Sequence, residues 1–303
     1  MASIVHRNNR FLVVHYEHDI SGKNKQKWET YRTLADAKRR KAEIERRQEL
    51  GVMNVPTCKT VADLLKEYVS LYGTTTWSLS VYSSNTRLIR NYINPVIGKM
   101  NLCEISPRIL EKYYQKLLQT PAVSRITQKR GTKDTGFVQP ATVRKVHSLL
   151  WSAFNQAVKW ELMEKNPAIH ATVPKAVPQK REVWDAEAIF LALDVCDDAR
   201  LKLAINLSFA CSMRIGEILG LTWDCVDISP KSIASGTASI MITKELQRVD
   251  KTAMKSLEQK DVLLIFPQSS KRNTSMLVPK KPKTESSIRR VFIPATVAHQ
   301  LKA

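Results

Sequence analysis

Ser212 to Asp227 reads SMRIGEILGLTWDCVD, and this stretch decides what the rest of the chain builds. It follows a largely apolar run, Ala199 to Ala210 (ARLKLAINLSFA), whose composition predicts a buried helix. Arg214 therefore emerges where that helix ends, and Glu217 follows three residues later. An arginine there presents a planar fork of donors suited to a phosphate, and a carboxylate one turn along can fix the neighbouring backbone or side chains. The plainer reading of Arg-x-x-Glu is an ion pair across one helical turn. The surrounding residues separate the two.

Working outward, Asp185 is placed to cap a helix running through Leu193, and Ile240 to Thr243, Val262 to Phe266 and Arg290 to Ile293 read as strands. The segment 182–303 is thus a mixed domain of helices with a sheet edge. It is preceded by a Lys/Pro-rich stretch, Asn166 to Arg181 (NPAIHATVPKAVPQKR), whose prolines at 167, 174 and 178 break regular structure; residues 169–181 are read as a linker. Residues 59–168 read as a helical bundle. Thr60 and Asp63 form a capping box, a basic helix around Ser84 to Ile93 carries Arg87 and Arg90 and is ended by Pro95 and Gly98, and Ser106-Pro107 opens a third helix. A fourth helix runs from about Pro140 to Leu162, carrying Arg144 and Lys145 outside its apolar stripe of Val143, Val146, Leu150, Phe154, Ala157 and Val158. Between the last two, Thr120 to Val138 has no period, and Lys129, Arg130 and Lys133 make it a basic loop able to close on a nucleic-acid backbone. Residues 1–55 read as a small three-stranded sheet with one helix: Phe11 to His15 and Gln26 to Thr30 flank the turn-rich DISG at 19–22, and Thr33-Leu-Ala-Asp36 starts a helix stopped by Gly51. The predicted fold class is therefore multidomain: a small α+β N-terminal domain, an all-α bundle, and a mixed, mainly helical α/β domain.

The 303 residues hold 48 Lys and Arg against 28 Asp and Glu, a net charge of +20, which points to a polyanionic partner. Residues 1–55 alone carry twelve Lys and Arg against seven Asp and Glu. Five cysteines, at 58, 103, 196, 211 and 225, stand singly without the paired spacing of a zinc or redox site, so no metal or cofactor is expected and the thiols read as reduced core residues. The start MASIVHRNNRFLVV has no secretory pattern and no later run is long and apolar enough to span a bilayer; a cytoplasmic protein without a membrane partner is expected.

The pattern from Ser212 to Asp227 resembles that of the tyrosine recombinase (phage integrase) family, A/S-x-R-x-G-E-[IL]-[LC]-x-L-x-W-x-D-[IV]-D. Val138 to Ala168 looks like the last helix of that family's core-binding domain, and Phe11 to Glu49 looks like the arm-binding domain of conjugative-transposon integrases. The resemblance implies an arm-type DNA-binding domain at 1–55, a core-binding (SAM-like) domain at 59–168 and a partial catalytic domain at 182–303. It further implies binding of double-stranded DNA, self-association on it as a tetramer, and strand exchange through a 3′-phosphotyrosyl link for integration and excision of a mobile element.

Carried over by position, Arg214 becomes the first catalytic arginine with Glu217 in support, and Pro282 to Pro294 (PKTESSIRRVFIP) makes Lys283 the hairpin lysine. Lys271, Arg272, Lys280, Lys281, Arg289 and Arg290 crowd the same region, so Lys283 also reads as one cation among many. Arg87, Arg90, Lys129, Arg130, Lys133, Arg144 and Lys145 are the expected DNA contacts. The pattern stops short in two places. All eight tyrosines lie at or before Tyr114, and His299 is followed three residues later by Lys302 rather than arginine. The expectation is a C-terminally truncated recombinase that binds without cutting; a non-catalytic DNA-binding regulator or competitor derived from an integrase is the alternative, and an RNA-binding protein leaves the Arg214 to Asp227 pattern unexplained.

Overall fold

The computed structural model describes residues 2–7, 9–18, 24–49, 58–123, 136–176, 182–267 and 273–302. The chain folds into two compact units, Met1–Tyr68 with Ile89–Ala176, and Val69–Leu88 with Val177–Ala303. Both are helical with small antiparallel sheets.

The first unit opens with three strands, β1 (Ser3–Arg7), β2 (Arg10–His18) and β3 (Asn24–Tyr31), paired in that order. The register sets Val13 between Ile4 and Glu29 and Val14 beside Trp28. Side chains alternate across a strand, so Ile4, Phe11 and Val13 face helix α1 (Leu34–Glu49) and pack with Ala37 and Ile44. Tyr16 and Trp28, by contrast, are exposed. Beneath the sheet, buried Glu29 accepts from Arg40 Nε at 3.1 Å, Arg40 Nη2 at 3.2 Å and Lys59 Nζ at 2.9 Å. Burial alone would raise the Glu29 pKa; hydrogen bonds from Arg40, Tyr31 and Lys59 overcome it and hold the carboxyl down at about 2.

The helical part of this unit starts as the sequence predicts. Thr60 and Asp63 cap each other's backbone at 3.1 and 3.2 Å ahead of α2 (Val61–Glu67). The chain then passes through π-helical turns, Tyr68–Gly73, into the second unit's α3 (Thr74–Thr76) and α4 (Leu79–Leu88). It re-enters the first unit at a π-helical segment, Ile89–Ile93, followed by α5 (Asn94–Ile97), α6 (Pro107–Leu118) and α7 (Pro140–Lys159). The expected helix at 84–93 therefore begins earlier and does not stop at Pro95. That proline sits in the first turn of α5, where its missing N–H needs no partner. The stripe of α7 is fully buried at Val143, Val146, Leu150, Phe154 and Ala157.

In the second unit, α8 (Ala186–Val195) is capped by Asp185, α9 (Ala199–Cys211) leads into α10 (Ile215–Leu219), and β4 (Val226–Asp227), α11 (Pro230–Ala234) and β5 (Ser239–Ile242) follow. Next come β6 (Glu245–Asp250), α12 (Lys251–Ser256), β7 (Ser275–Lys280), β8 (Arg289–Phe292) and α13 (Ala295–Lys302). One sheet runs β4-β5-β8 and a separate hairpin pairs β6 with β7. The core joins Leu207, Cys211 and Met213 to Ile240, Ile242, Ile293 and Val297. Leu79 of α4 fills a second core with Val249, Ala253, Met254 and Val278.

Three expectations are corrected. The strand at Val262 to Phe266 reduces to one bridge, Val262 to Lys280, on the edge of β7 that β6 leaves open, with one further backbone bond from the Leu263 N–H to the Pro279 carbonyl at 2.9 Å; beyond it Leu264 to Phe266 are exposed and make no strand pairing among the described residues. The apolar helix α9 buries only Leu207 and Cys211; Leu201 and Phe209 on its remaining face are half exposed, with no partner layer among the described residues. Cys103 is exposed and Cys196 half-buried, so these two thiols are not core residues, since the short turn at Leu102–Glu104 buries only Leu102.

Candidate functional site

Ser212, which follows α9, adopts a left-handed conformation with φ 50°, and this single residue turns the chain so that Arg214 becomes the N-cap of α10. Helix α10 starts there with its first-turn amides unsatisfied, as every helix start does. Glu217 reaches back and accepts from the Arg214 backbone N–H at 3.0 Å. The same carboxylate accepts from Arg214 Nη1 at 3.0 Å.

A second guanidinium arrives from the other end of the unit. Arg289, the first residue of β8, donates through Nη1 to Glu217 Oε1 at 3.0 Å and through Nη2 to Oε2 at 2.9 Å. Paired donors in this fork geometry are the stronger form of carboxylate recognition. Side-chain exposure is graded across the trio: 4% for Glu217, 32% for Arg289 and 72% for Arg214. The Arg289 hydrogen bond is the chief reason the Glu217 carboxyl is held below its usual range, against a smaller opposing effect of burial. Arg214 commits one guanidinium nitrogen to this carboxylate; among the described residues its remaining donors have no partner.

Close packing holds α10 in place. A Cβ at Gly220 would lie 2.9 Å from the Leu246 backbone nitrogen and 3.0 Å from Glu245, so the helix end rests directly on the β6 backbone. Lys280 is buried nearby and pairs with Glu245 at 3.3 Å.

Lys283 is exposed in the bend between β7 and the short turn Glu285–Ser287, six residues before Arg289. Around it, Lys281, Pro282, Thr284 and Glu285 line a cleft with Thr243 and Lys244. Arg289 Nη1 also donates to the Ser287 carbonyl at 3.3 Å, which ties this connection to the Glu217 cluster.

Of the other predicted contacts, Arg144 and Lys145 are exposed on the first turns of α7, Arg90 is exposed in the segment Ile89–Ile93, and Arg87 is half-buried at the end of α4. Lys129, Arg130 and Lys133 lie outside the described residues. Sequence reasoning counted Arg289 only among surrounding cations. Its place beside Glu217 comes from a pairing 72 residues apart, and the one signal for it was its position at the start of a strand after Lys283.

Residues 60–118 match the family model for the N-terminal SAM-like domain of phage integrases. Over that stretch the chain is similar to the phage integrase (tyrosine recombinase) family, and two curated relatives extend the similarity to about 70% of its length. It is 26% identical over 220 residues to a tyrosine recombinase XerC-like protein of Caldanaerobacter subterraneus, a match covering 70% of this chain and 46% of that protein. To an integrase of Streptomyces ambofaciens it is 24% identical over 212 residues, covering 69% of this chain and 49% of the relative. The chain thus spans about half the length of these curated relatives. Its fold is similar to that of the Tn1549 transposon integrase solved in complex with a circular intermediate DNA, with a TM-score of 0.57, 14% identity, and coverage of 80% of this chain and 64% of the other.

Proposed function

We propose that these 303 residues bind duplex DNA for site-specific strand exchange, with Arg214 and Lys283 directed at one backbone phosphate and Glu217 supporting the arginine. The observation that carries this reading is Arg214 itself: an exposed guanidinium at a helix N-cap, anchored through one nitrogen to a buried carboxylate with its other donors facing water. An anion meeting it gains fixed donors that need no reorganisation, and phosphoryl transfer builds charge on nonbridging oxygens where each such donor is worth roughly a hundredfold or more in rate. Lys283, exposed in the connection that leads to Arg289, is the candidate proton donor to a leaving 5′-oxygen.

Residues 1–55 act as an arm-type module, 59–168 as a core-binding module, 169–181 as the tether and 182–303 as the part that meets the reacting phosphate. Arg87, Arg90, Arg144 and Lys145 add phosphate contacts, as do Lys129, Arg130 and Lys133. Assembly as a tetramer on DNA follows the same reading. The phosphotyrosyl link needs a tyrosine that does not occur after Tyr114 in these residues, so the 303-residue chain binds without cutting.

The test is titration of a labelled duplex by fluorescence anisotropy at rising salt, with a denaturing gel for covalent adducts. Six to ten phosphate contacts weaken binding by about 10³ to 10⁵ between about 50 and 200 mM salt. Salt-independent binding, or a preference for RNA, would sink the reading; an adduct formed by residues 1–303 would overturn its binding-only part.

A further inference from the structure

We infer that Arg289 is a positioning residue that keeps Arg214 available to phosphate by occupying Glu217, an inference that rests on the phosphate reading of Arg214 given above. The reasoning is one of charge. Glu217 is 4% exposed, and a buried carboxylate requires a cation and full hydrogen bonding. Two guanidiniums compete for it. Arg289 takes the fork geometry with both terminal nitrogens, at 3.0 and 2.9 Å, and is the less exposed of the two. Arg214 is left with one side-chain contact at 3.0 Å and with 72% of its side chain in water. Two cations on one anion leave a surplus of one positive charge, carried by the exposed member.

Without Arg289 the surplus disappears. Glu217 then has a single guanidinium within reach, held beside it by the bond from the Arg214 backbone N–H. Arg214 rotates into the vacated fork and its charge is spent inside the protein. Arg289 therefore acts on the phosphate through Glu217 and Arg214 and does not touch it. Its further bond to the Ser287 carbonyl, at 3.3 Å, makes the connection bearing Lys283 part of the same arrangement.

The experiment measures the slope of log Kd against log salt for a labelled duplex with the 303-residue protein and its variants. Each phosphate contact contributes about 0.9 to that slope. Arg214→Ala should lower it by about 0.9, Arg289→Ala by the same amount, and the double variant by no more than either alone. A double variant lowered by about 1.8 means that Arg289 makes its own phosphate contact and overturns the inference, as does an Arg289→Ala slope equal to wild type. If Arg214→Ala leaves the slope unchanged, the phosphate reading itself falls and the inference with it.

Should Arg289→Ala fail to fold, Arg289→Ala combined with Glu217→Gln carries the test, because a neutral amide neither needs a cation nor holds Arg214. That pair is expected to regain the wild-type slope, and Arg289→Lys to retain it. A pair still lowered by about 0.9 would refute the positioning role.

Discussion

Arg289 and Glu217, 72 residues apart in sequence, meet in a two-pronged ion pair of 3.0 and 2.9 Å. The pair joins the first residue of β8 to the first turn of α10, so the helix bearing Arg214 and the strand that follows Lys283 cannot move independently at this point. Stability and phosphate recognition are therefore coupled through one carboxylate.

Removing that carboxylate should cost stability. Glu217→Ala leaves two guanidiniums facing each other and an uncapped start of α10. Because both arginines keep contact with water, the loss in unfolding free energy should be about 2 kcal/mol rather than the larger figure for a fully buried pair, read from urea unfolding. A midpoint equal to wild type would contradict the geometry described.

Gly220 tests how tightly α10 rests on β6. Its added Cβ would meet the Leu246 nitrogen at 2.9 Å, which is backbone and cannot swing aside. Gly220→Ala should destabilise the protein by about 1 to 3 kcal/mol and weaken duplex binding through the displaced Arg214. Thermal unfolding and anisotropy together check both halves of that statement.

Acid sensitivity is expected from Glu29. Its folded-state pKa, about 2, lies below the ordinary 4.5, so its contribution to stability is fully present above about 4.5 and is lost as pH falls towards about 2. The size is on the order of 3 kcal/mol. Glu29→Gln should thus fall below wild type in urea midpoint at neutral pH, and the gap should close between pH 4.5 and 2. A gap independent of pH would show that Glu29 contributes by packing alone.

The cap at the start of α2 makes a smaller prediction. Thr60 and Asp63 satisfy each other's amides, so Thr60→Ala should cost about 1 kcal/mol, while Thr60→Ser should restore most of it. Chemical denaturation distinguishes the two variants.

Local signals were legible wherever a short stretch of chain carries its own reason for folding. The caps at Thr60, Ser106 and Asp185 and the buried stripe of α7 are set by neighbours within a turn or two, and each appears at its expected place. The turn at Arg214 and its Glu217 three residues on were likewise visible, because an N-cap and its first-turn carboxylate are sequence neighbours. Periodicity said less about segments whose partners lie far off. The apolar run at 262–266 has strand composition but pairs with β7 only at Val262 and Leu263, and α9 has the composition of a core helix but only one covered face.

What the amino-acid order determined by itself was the helices α1, α2 and α6 to α9, the basic charge and the Arg214 motif, all of which depend on composition or on contacts within about one helical turn. Tertiary structure alone decided that Arg289, rather than any of the crowded lysines and arginines beside it, reaches Glu217. The reason is geometric. Which of several similar cations meets a buried carboxylate depends on how β8 is registered against β5 and on where α10 sits over β6, and neither relation is written in local sequence.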